Sequence, residues 1–231
     1  MGVELSSDLV EGRFLVRLNR FAALVDVGGQ EVLVHVANSG RMHELLVPGY
    51  RVLLKPIAGN HRKSHFDLAL VDLGCTLTSA DARLPNALVA EAWQEGRLPQ
   101  FLDYSRIQGE VTFGESRLDL MLAGPSGRCY LETKSVTLVV DQVALFPDAP
   151  TTRGVKHLHS LSRAVDAGNR AAVIFVVQRE DAQAFATHDQ ADPEFAAAFR
   201  RALAAGVEAF AYRCWVTEQE IKLAEPLPVK I

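Results

Sequence analysis

The first part of the chain carries short runs in which hydrophobic and polar residues alternate. Such runs lie at residues 14–18, 23–27, 32–36, 50–55 and 66–73. A period of two indicates half-buried β-strands, and the pair Gly28-Gly29 between two of the runs favours a hairpin turn. In the first run Phe14, Val16 and Leu18 alternate with polar neighbours. About five short strands without a helical stretch predict a small barrel, for which the OB-fold is the commonest five-stranded solution.

The pattern changes near residue 80, where helix-prone segments begin to alternate with strands. Helices are expected at 85–95, 151–168 and 192–206, and strands at 107–134, at 171–177 and from about 207 and 221 onward. Asp192-Pro193 is typical of a helix start, and Gly168 and Gly206 are typical of helix ends. This order predicts a layered α/β domain with a mixed sheet. We therefore divide the chain into an OB-fold-like domain at 1–80 and an α/β domain at 81–231.

The composition excludes some classes of protein. Of the 231 residues 48% are hydrophobic, but no apolar run reaches the roughly 18–20 residues of a membrane span, and the first residues do not form a secretory signal. Cys75, Cys129 and Cys214 lack metal-finger spacing and are expected to be buried free thiols in a reducing compartment. We expect a cytoplasmic protein without membrane contact. Its net charge of −4 gives no overall attraction to polyanions, so nucleic-acid binding would require a local basic face.

Two turns predict how three strands of the second domain pair. A symmetric hairpin around the turn cluster 124–127 sets Asp119 opposite Glu132, and a two-residue turn at Gly114-Glu115 sets Glu110 opposite Asp119. The same registers pair apolar residues: Val111 with Leu118, Leu120 with Leu131, and Leu122 with Cys129. The sequence thus predicts one apolar face and one face that carries Glu110, Asp119, Glu132 and Lys134.

Three carboxylates in a row need a compensating charge. Like charges directly opposite each other destabilise a sheet, because their Cβ atoms are only about 4.5–5.5 Å apart. A hard cation such as Mg²⁺ or Mn²⁺ binds carboxylate oxygens, and Lys134 would stabilise or deprotonate an attacking water. The alternative is a solvated face on which the acids only keep a sheet edge soluble. The combination of three acids with a lysine favours the metal site.

Several motifs resemble those of known families. Asp119, followed at a spacing of thirteen by Glu132-Thr133-Lys134, resembles the motif of the PD-(D/E)xK nuclease superfamily. The chain more closely resembles the sugar fermentation stimulation protein A family, along nearly its whole length. The similar segments are His35-Val36-Ala37-Asn38-Ser39-Gly40-Arg41-Met42, Gly109-Glu110-Val111, Ser116-Arg117-Leu118-Asp119, Glu132-Thr133-Lys134-Ser135-Val136-Thr137-Leu138, Phe146-Pro147-Asp148-Ala149 and Arg153-Gly154-Val155-Lys156-His157-Leu158.

This resemblance implies an OB-like N-terminal domain, a restriction-endonuclease-like C-terminal domain, and nonspecific DNA binding linked to the use of sugars such as maltose. The superfamily resemblance implies that Asp119 and Glu132 hold the metal and that Lys134 assists hydrolysis. The chain departs from the family pattern at Thr133, where valine is expected, at Leu120, where phenylalanine is usual, and in lacking a proline before Asp119. None of these departures removes an expected metal ligand.

Further residues are candidates for supporting roles. Glu91 in the first helix competes with Glu110 as an additional ligand, although helical glutamates are commonly only solvated. In the second helix Arg153, Lys156, His157 and Ser160 recur at helical spacing. This polar face would contact a phosphate backbone, and the alternative is an ordinary solvated face. The other predicted nucleic-acid contacts are Arg41, Arg62, Lys63 and Arg117.

The aromatic residues of the barrel give little support for base stacking. OB-folds bind single strands through positive grooves and stacked aromatic rings. Phe14, Phe21, Tyr50 and Phe66 are expected to be core or strand residues instead.

Three functions remain open from the sequence. The first is a metal-dependent nuclease acting on DNA, with RNA as an alternative substrate. The second is a DNA-binding regulator whose nuclease-like domain cuts slowly or not at all. The third is a sugar-binding regulator, for which no aromatic sugar platform is evident. The presence of both acids and the lysine favours the first, and the choice between a monomer and a homodimer stays open.

Overall fold

The computed structural model describes residues 2–58 and 63–231. The N-terminal part is built of strands, as the alternating pattern predicts. Seven strands of the described residues precede the first α-helix: β1 (Val3–Glu4), β2 (Val10–Asn19), β3 (Ala22–Val27), β4 (Gln30–His35), β5 (Arg51–Pro56), β6 (Phe66–Asp72) and β7 (Leu77–Ser79).

Strands β2 to β6 form a closed barrel. β2 pairs with β3 and β5, β3 pairs with β4, β5 pairs with β6, and a short parallel contact between β4 and β6 closes the circle at Val34 and Phe66. Gly28 and Gly29 connect β3 to β4 with φ angles of 61° and 88°, a conformation that favours glycine. The barrel surrounds an apolar core that includes Phe14. The predicted OB-fold-like domain is therefore confirmed.

Bulges in β2 reverse part of the predicted alternation. The pairing of β2 with β3 shifts register between Phe14 and Val16 and again between Arg17 and Asn19. A bulge turns the side chains that follow it to the opposite face, so Phe14 lies in the core whereas Val16 and Leu18 are 46% and 52% exposed.

The second domain is a mixed sheet flanked by helices. The helices are α1 (Leu84–Gln94), α2 (Thr152–Asp166) and α3 (Pro193–Ala204), with a short 3-10 turn at Pro99–Phe101. The strands are β8 (Arg106–Phe113), β9 (Ser116–Gly124), β10 (Gly127–Val136), β11 (Val139–Val140), β12 (Val143–Phe146), β13 (Arg170–Val177), β14 (Ala184–Thr187), β15 (Glu208–Val216), β16 (Glu220–Leu227) and β17 (Val229–Lys230).

The principal sheet has the strand order β1-β16-β15-β13-β10-β9-β8. β10, β13 and β15 run parallel, and their neighbours on either side are antiparallel. α1 packs on one face of this sheet, whereas α2 and α3 pack on the other. The side chains of Thr151 and Asp192 cap α2 and α3 by accepting hydrogen bonds from the backbone N–H groups of Gly154 (3.0 Å) and Phe195 (2.9 Å). The predicted mixed-sheet α/β architecture is confirmed.

Some of the strand pairing was not predicted. β11, β12, β14 and β17 form a second sheet, and β1 pairs with β16 rather than with the barrel. Most of these strands have only two to four residues, too few for a period of two to be visible in the sequence.

The two predicted hairpin registers are present, but one strand is interrupted. The paired residues are Val111 with Leu118, Leu120 with Leu131, and Leu122 with Cys129. Glu110 adopts a φ of 53° and does not pair with Asp119 in the ladder. The ladder between β9 and β10 ends at Leu120 and Leu131, so the predicted pairing of Asp119 with Glu132 is absent as well. Across this interruption Leu118 packs beneath α2 and Leu120 packs beneath α1. The prediction of a single apolar face is therefore wrong, because the break divides it between both sides of the sheet.

The cysteines and the helices test two further expectations. Cys129 and Cys214 are buried as predicted, but Cys75 is exposed. Burial raises the pKa of the Cys129 thiol to about 12. None of the helices within 2–58 and 63–231 combines the length and the hydropathy needed to cross a bilayer.

The two domains meet through polar contacts centred on Gln178, which follows β13 and is fully buried. Its side-chain Nε2 donates to the carbonyl oxygens of Ser79 (3.3 Å) and Asp81 (3.1 Å) and to the hydroxyl of Ser135 (3.0 Å). These hydrogen bonds hold the end of β7 against the end of β10. The loop that follows β4 then faces parts of β9 and β10 across a cleft.

Candidate active site

The cleft between the domains is a polar cavity of about 350 Å³. It is lined by residues 38–40 of the barrel, the start of α1, the segment 146–151, and parts of β9 and β10. Asp119, Glu132 and Lys134 all line it, as does Arg153 of α2. We call this cavity the interdomain cleft. The structure therefore brings the three residues of the predicted motif together.

Glu132 is the most buried of these residues, with an exposed fraction of 2%. Its Oε1 contacts the Lys134 Nζ (2.6 Å) and the His157 Nδ1, whereas its Oε2 is buried and has no hydrogen-bond partner among the described residues. Burial favours the protonated acid, but the charge of Lys134 and the hydrogen bond with His157 outweigh it and lower the pKa of Glu132. A buried, ionised oxygen without a partner is costly, and it is a position that a ligand would satisfy.

Asp119 lies on β9 and is held by Thr133 of the neighbouring strand β10 and by Asn86 of α1. Its Oδ2 accepts hydrogen bonds from the backbone N–H (2.8 Å) and the hydroxyl (3.1 Å) of Thr133, and its Oδ1 accepts one from Asn86 Nδ2 (3.2 Å). The Thr133 hydroxyl oxygen also contacts Asn86 Oδ1, so its single proton is shared between this oxygen and Asp119 Oδ2. Neighbouring strand residues point to opposite faces, so Thr133 faces α1 while Glu132 faces α2. Asn86 was not predicted from the sequence, and Thr133 was noted only as a departure from the family pattern.

Glu110 and Glu91, which the sequence predicts as metal ligands, lie outside the interdomain cleft, so both predictions are corrected. Glu110 forms an exposed ion pair with Arg117, because its left-handed backbone breaks the strand at that residue. Glu91 forms an ion pair with Arg97, which also donates to the carbonyl oxygen of Leu223 on β16 (2.7 Å). Neither carboxylate lines the cleft. Arg117, predicted to contact nucleic acid, lies on the outer surface with Glu110.

The polar face of α2 is divided between the solvent and the protein interior. Arg153 and Lys156 are exposed, but His157 is only 4% exposed. Its Nδ1 contacts Glu132, and its Nε2 accepts a hydrogen bond from Arg153 Nε (3.4 Å). The prediction that His157 contacts nucleic acid directly is therefore corrected: it is a buried partner of the Glu132 carboxylate. Ser160 is also buried, where it donates to the Ser116 hydroxyl (2.6 Å).

The basic residues predicted in the barrel have different positions. Arg41 is exposed and follows Gly40, which lines the interdomain cleft. Lys63 lines a separate groove on the barrel surface. Arg62 lies outside the described residues. Arg83, which was not predicted, lines the cleft and is ion-paired with Asp67 (2.9 Å) and Asp81 (2.5 Å).

A third carboxylate of the interdomain cleft, Asp148, was noted in the sequence only as part of a family-like segment. Its Oδ2 accepts a hydrogen bond from the backbone N–H of Met42 (3.0 Å), which connects the second domain to the barrel loop. Gly40 packs so closely that a Cβ there would lie 2.7 Å from this oxygen. Burial, reinforced by the charge of Asp148, raises the pKa of the nearby Glu44. The cleft is thus closed on the barrel side by a tightly fitted loop.

Comparisons with known proteins cover both domains. Residues 15–79 match the SfsA N-terminal OB domain, and residues 83–220 match the sugar fermentation stimulation protein RE domain. A sugar fermentation stimulation protein homolog from Alkaliphilus metalliredigens is 44% identical over 99% of this chain and 100% of its own length. One from Desulforamulus reducens is 43% identical over 97% and 93%, respectively. The solved structure of Pyrococcus furiosus SfsA in complex with Ca²⁺ superimposes with a TM-score of 0.92 at 30% identity, over 100% of both chains.

Proposed function

Because the chain belongs to the sugar fermentation stimulation protein family, we propose that it binds nucleic acid and hydrolyses phosphodiester bonds in the interdomain cleft with a divalent cation. One observation carries this proposal. Asp119, Glu132 and Lys134 line the same polar cavity, and the Glu132 Oε2 is buried without a hydrogen-bond partner among the described residues. An unsatisfied anionic oxygen that lines a polar cavity is suited to a cation.

The residues present fit Mg²⁺ or Mn²⁺ through Asp119 and Glu132. Mg²⁺ is commonly held by one or two carboxylates and keeps several waters, so it does not need a full protein cage. This matters because the described residues contain no group of three His, Cys, Asp or Glu side chains that would hold a metal alone. The Pyrococcus furiosus relative was solved with Ca²⁺, another hard cation that prefers oxygen ligands. That relative supports a divalent-cation site in this family.

The other residues of the cleft have roles that follow from their positions. A divalent cation held by Asp119 and Glu132 would act as a Lewis acid, polarising the phosphate and lowering the pKa of a coordinated water. Lys134, with its Nζ 2.6 Å from Glu132 Oε1, adds a positive charge where the attacking water and the scissile phosphate would meet. Arg153 lines the cleft from α2 and would hold a phosphate group. His157 and Asn86 position the two acids.

A cleavage assay tests this function. Supercoiled, linear and single-stranded DNA and RNA are incubated with Mg²⁺ or Mn²⁺, or with a chelator. We expect cation-dependent cleavage of at least one substrate, reduced at least about 100-fold by Glu132→Ala and by Lys134→Ala. Glu110→Ala is the matched control, since Glu110 lies on the neighbouring strand outside the cleft and its loss leaves the rate unchanged. Absence of cleavage on every substrate, or equal cleavage by the Glu132→Ala variant, contradicts the proposal.

A second function, nucleic-acid binding without cleavage, is favoured by one specific observation. Lys134 and His157 already compensate the charge of Glu132, so this carboxylate is stabilised without a cation. A regulator of sugar use would need only the basic residues around the cleft. Binding that persists in both cleft variants, with no cleavage by the parent protein, would favour this function.

A further inference from the structure

An aromatic pair lies on the barrel, close along the chain to the loop that lines the interdomain cleft. Phe21, in the turn between β2 and β3, is 49% exposed, and its ring runs nearly parallel to that of His35, with ring centroids 6.5 Å apart and planes inclined by 25°. The sequence-based expectation that Phe21 is a core or strand residue is wrong. The bulges in β2 also turn Leu18 outward, next to this pair. The exposed Phe21 ring, the half-buried His35 ring and the exposed Leu18 side chain thus lie together.

These residues line a groove of about 400 Å³, which we call the platform groove. Lys63 also lines it, and none of its lining residues within the described part of the chain is an acid. The groove therefore combines flat aromatic faces, an aliphatic edge and a positive charge. A partner that matches this surface presents planar apolar faces and negative charges together, which unpaired nucleobases on a phosphate backbone do.

We propose that the platform groove binds single-stranded nucleic acid, with bases stacked on Phe21 and His35 and a phosphate on Lys63, and that this strand continues into the interdomain cleft. The destination of the strand rests on the proposed function, whereas the stacking does not. Stacking on aromatic side chains together with positive charge along the backbone is how proteins bind single strands without reading their sequence.

The chain between the platform groove and the cleft is short. Only two residues lie between His35 and Asn38, which lines the cleft, so their Cα atoms are at most about 11 Å apart. Stacked bases along one strand rise about 3.4 Å each, so a few nucleotides span this distance. The two surfaces are therefore close enough for one strand to reach both.

Arg17 fixes these two surfaces relative to each other. Its guanidinium donates to the carbonyl oxygens of Asn19 (3.1 Å) and Arg20 (2.6 Å) in the turn that carries Phe21. It also donates to the carbonyls of Asn38 (3.0 Å), Gly40 (2.6 Å) and Arg41 (2.7 Å) in the loop that lines the cleft. Hydrogen bonds from this one side chain to five backbone carbonyl oxygens hold the turn and the loop together. A strand bound at Phe21 would therefore lie next to a loop whose position at the cleft is fixed by these hydrogen bonds.

The platform groove distinguishes single strands from duplexes. In a duplex each base is stacked between its neighbours and paired, so its face is not available to Phe21 or His35. A duplex would contact only Lys63 and neighbouring basic residues through its phosphates. Loss of the aromatic ring should therefore weaken single-strand binding and leave duplex binding unchanged.

Fluorescence anisotropy with labelled oligo(dT), oligo(U) and a DNA duplex tests this proposal, using the full-length protein with a chelator so that cleavage plays no part. We expect Phe21→Ala to raise the single-strand Kd about 5- to 100-fold, as for the loss of one stacked base, and the duplex Kd less than about twofold. The oligo(dT) and oligo(U) arms show whether the strand is DNA or RNA. Phe21→Trp should retain binding, and its fluorescence should be quenched by the oligonucleotide.

The matched control is Trp215→Ala, which removes an aromatic residue that is 59% exposed on β15 and should not change binding. The proposal is overturned if Phe21→Ala binds single strands as tightly as the parent, if duplex binding weakens equally, or if Trp215→Ala has the same effect. It is also overturned if Phe21→Ala changes only the oligomeric state in sedimentation, which would identify a protein contact. The binding measurements all contain chelator and so do not depend on cleavage. Failure to cleave DNA in the separate cleavage assay would refute the proposed hydrolysis without affecting this binding result.

Discussion

Replacing His157 with alanine tests the arrangement around Glu132 without requiring any ligand. The imidazole is 4% exposed and contacts the Glu132 carboxylate, and it also accepts a hydrogen bond from Arg153 (3.4 Å). A hydrogen bond to a charged group contributes about 1.5–3 kcal/mol, and leaving a buried charge with fewer partners adds to this cost. We therefore expect His157→Ala to lower the free energy of unfolding by about 3 kcal/mol. For a chain of this size that corresponds to a decrease in Tm of about 6–12 °C.

Thermal and urea unfolding at neutral pH, followed by circular dichroism, measure this effect. His159→Ala is the matched control, because His159 lies on the same helix but is exposed, so its loss should change the stability by less than about 0.5 kcal/mol. His157→Gln, which restores an N–H donor, should recover part of the loss. Equal stabilities of the His157→Ala and His159→Ala variants would show that His157 does not support Glu132, and the reasoning would then be refuted.

Three further predictions concern the loop of the cleft, a half-buried acid and the thiols. Gly40→Ala should displace the Asp148 carboxylate and lower the unfolding free energy by about 1–3 kcal/mol, whereas Gly109→Ala, where a Cβ has room, should have a much smaller effect in the same urea titrations. The raised pKa of Glu44 means that the folded protein loses stability as the pH rises from the ordinary value of 4.5 through the raised pKa. The stability of Glu44→Gln relative to the parent should therefore be constant below pH 4.5 and increase above it; a difference that does not change with pH would contradict this. Because burial raises the pKa values of the Cys129 and Cys214 thiols, a thiol reagent should modify only Cys75 in the native protein and all three cysteines in urea; rapid modification of a second native thiol would argue against their burial.

The parts of the site that could be predicted from the sequence depend on local chemistry. Turn residues at 114–115 and 124–127 set the strand registers, and these registers are present on both sides of β9. The alternation along β10 then places Glu132 and Lys134 on one face, where both reach His157. The helix caps at Thr151 and Asp192 were predictable for the same reason.

The incorrect predictions arise where backbone geometry or distant residues determine which way a side chain points and which partner it contacts. A left-handed residue at Glu110 and the bulges in β2 reverse the direction of side chains, and neither is encoded in a hydrophobic pattern. Glu91 was predicted as a ligand, but Arg97 forms an ion pair with it and also donates a hydrogen bond to Leu223 on β16, which is far along the chain. Likewise Asp148 meets the backbone of Met42 across 106 residues of sequence. Such contacts depend on how the two domains meet, which no local pattern specifies.

Isothermal titration calorimetry of Mn²⁺ binding to the intact protein most directly tests the claim that the interdomain cleft is a cation site. The parent protein and the surface control Glu110→Gln should bind Mn²⁺ with the same affinity. In Asp119→Asn and Glu132→Gln the binding should weaken at least about tenfold, because each variant loses a charged oxygen ligand. Equal Mn²⁺ affinity in all four proteins, or no binding by the parent, would contradict the assignment of these two carboxylates as the metal ligands.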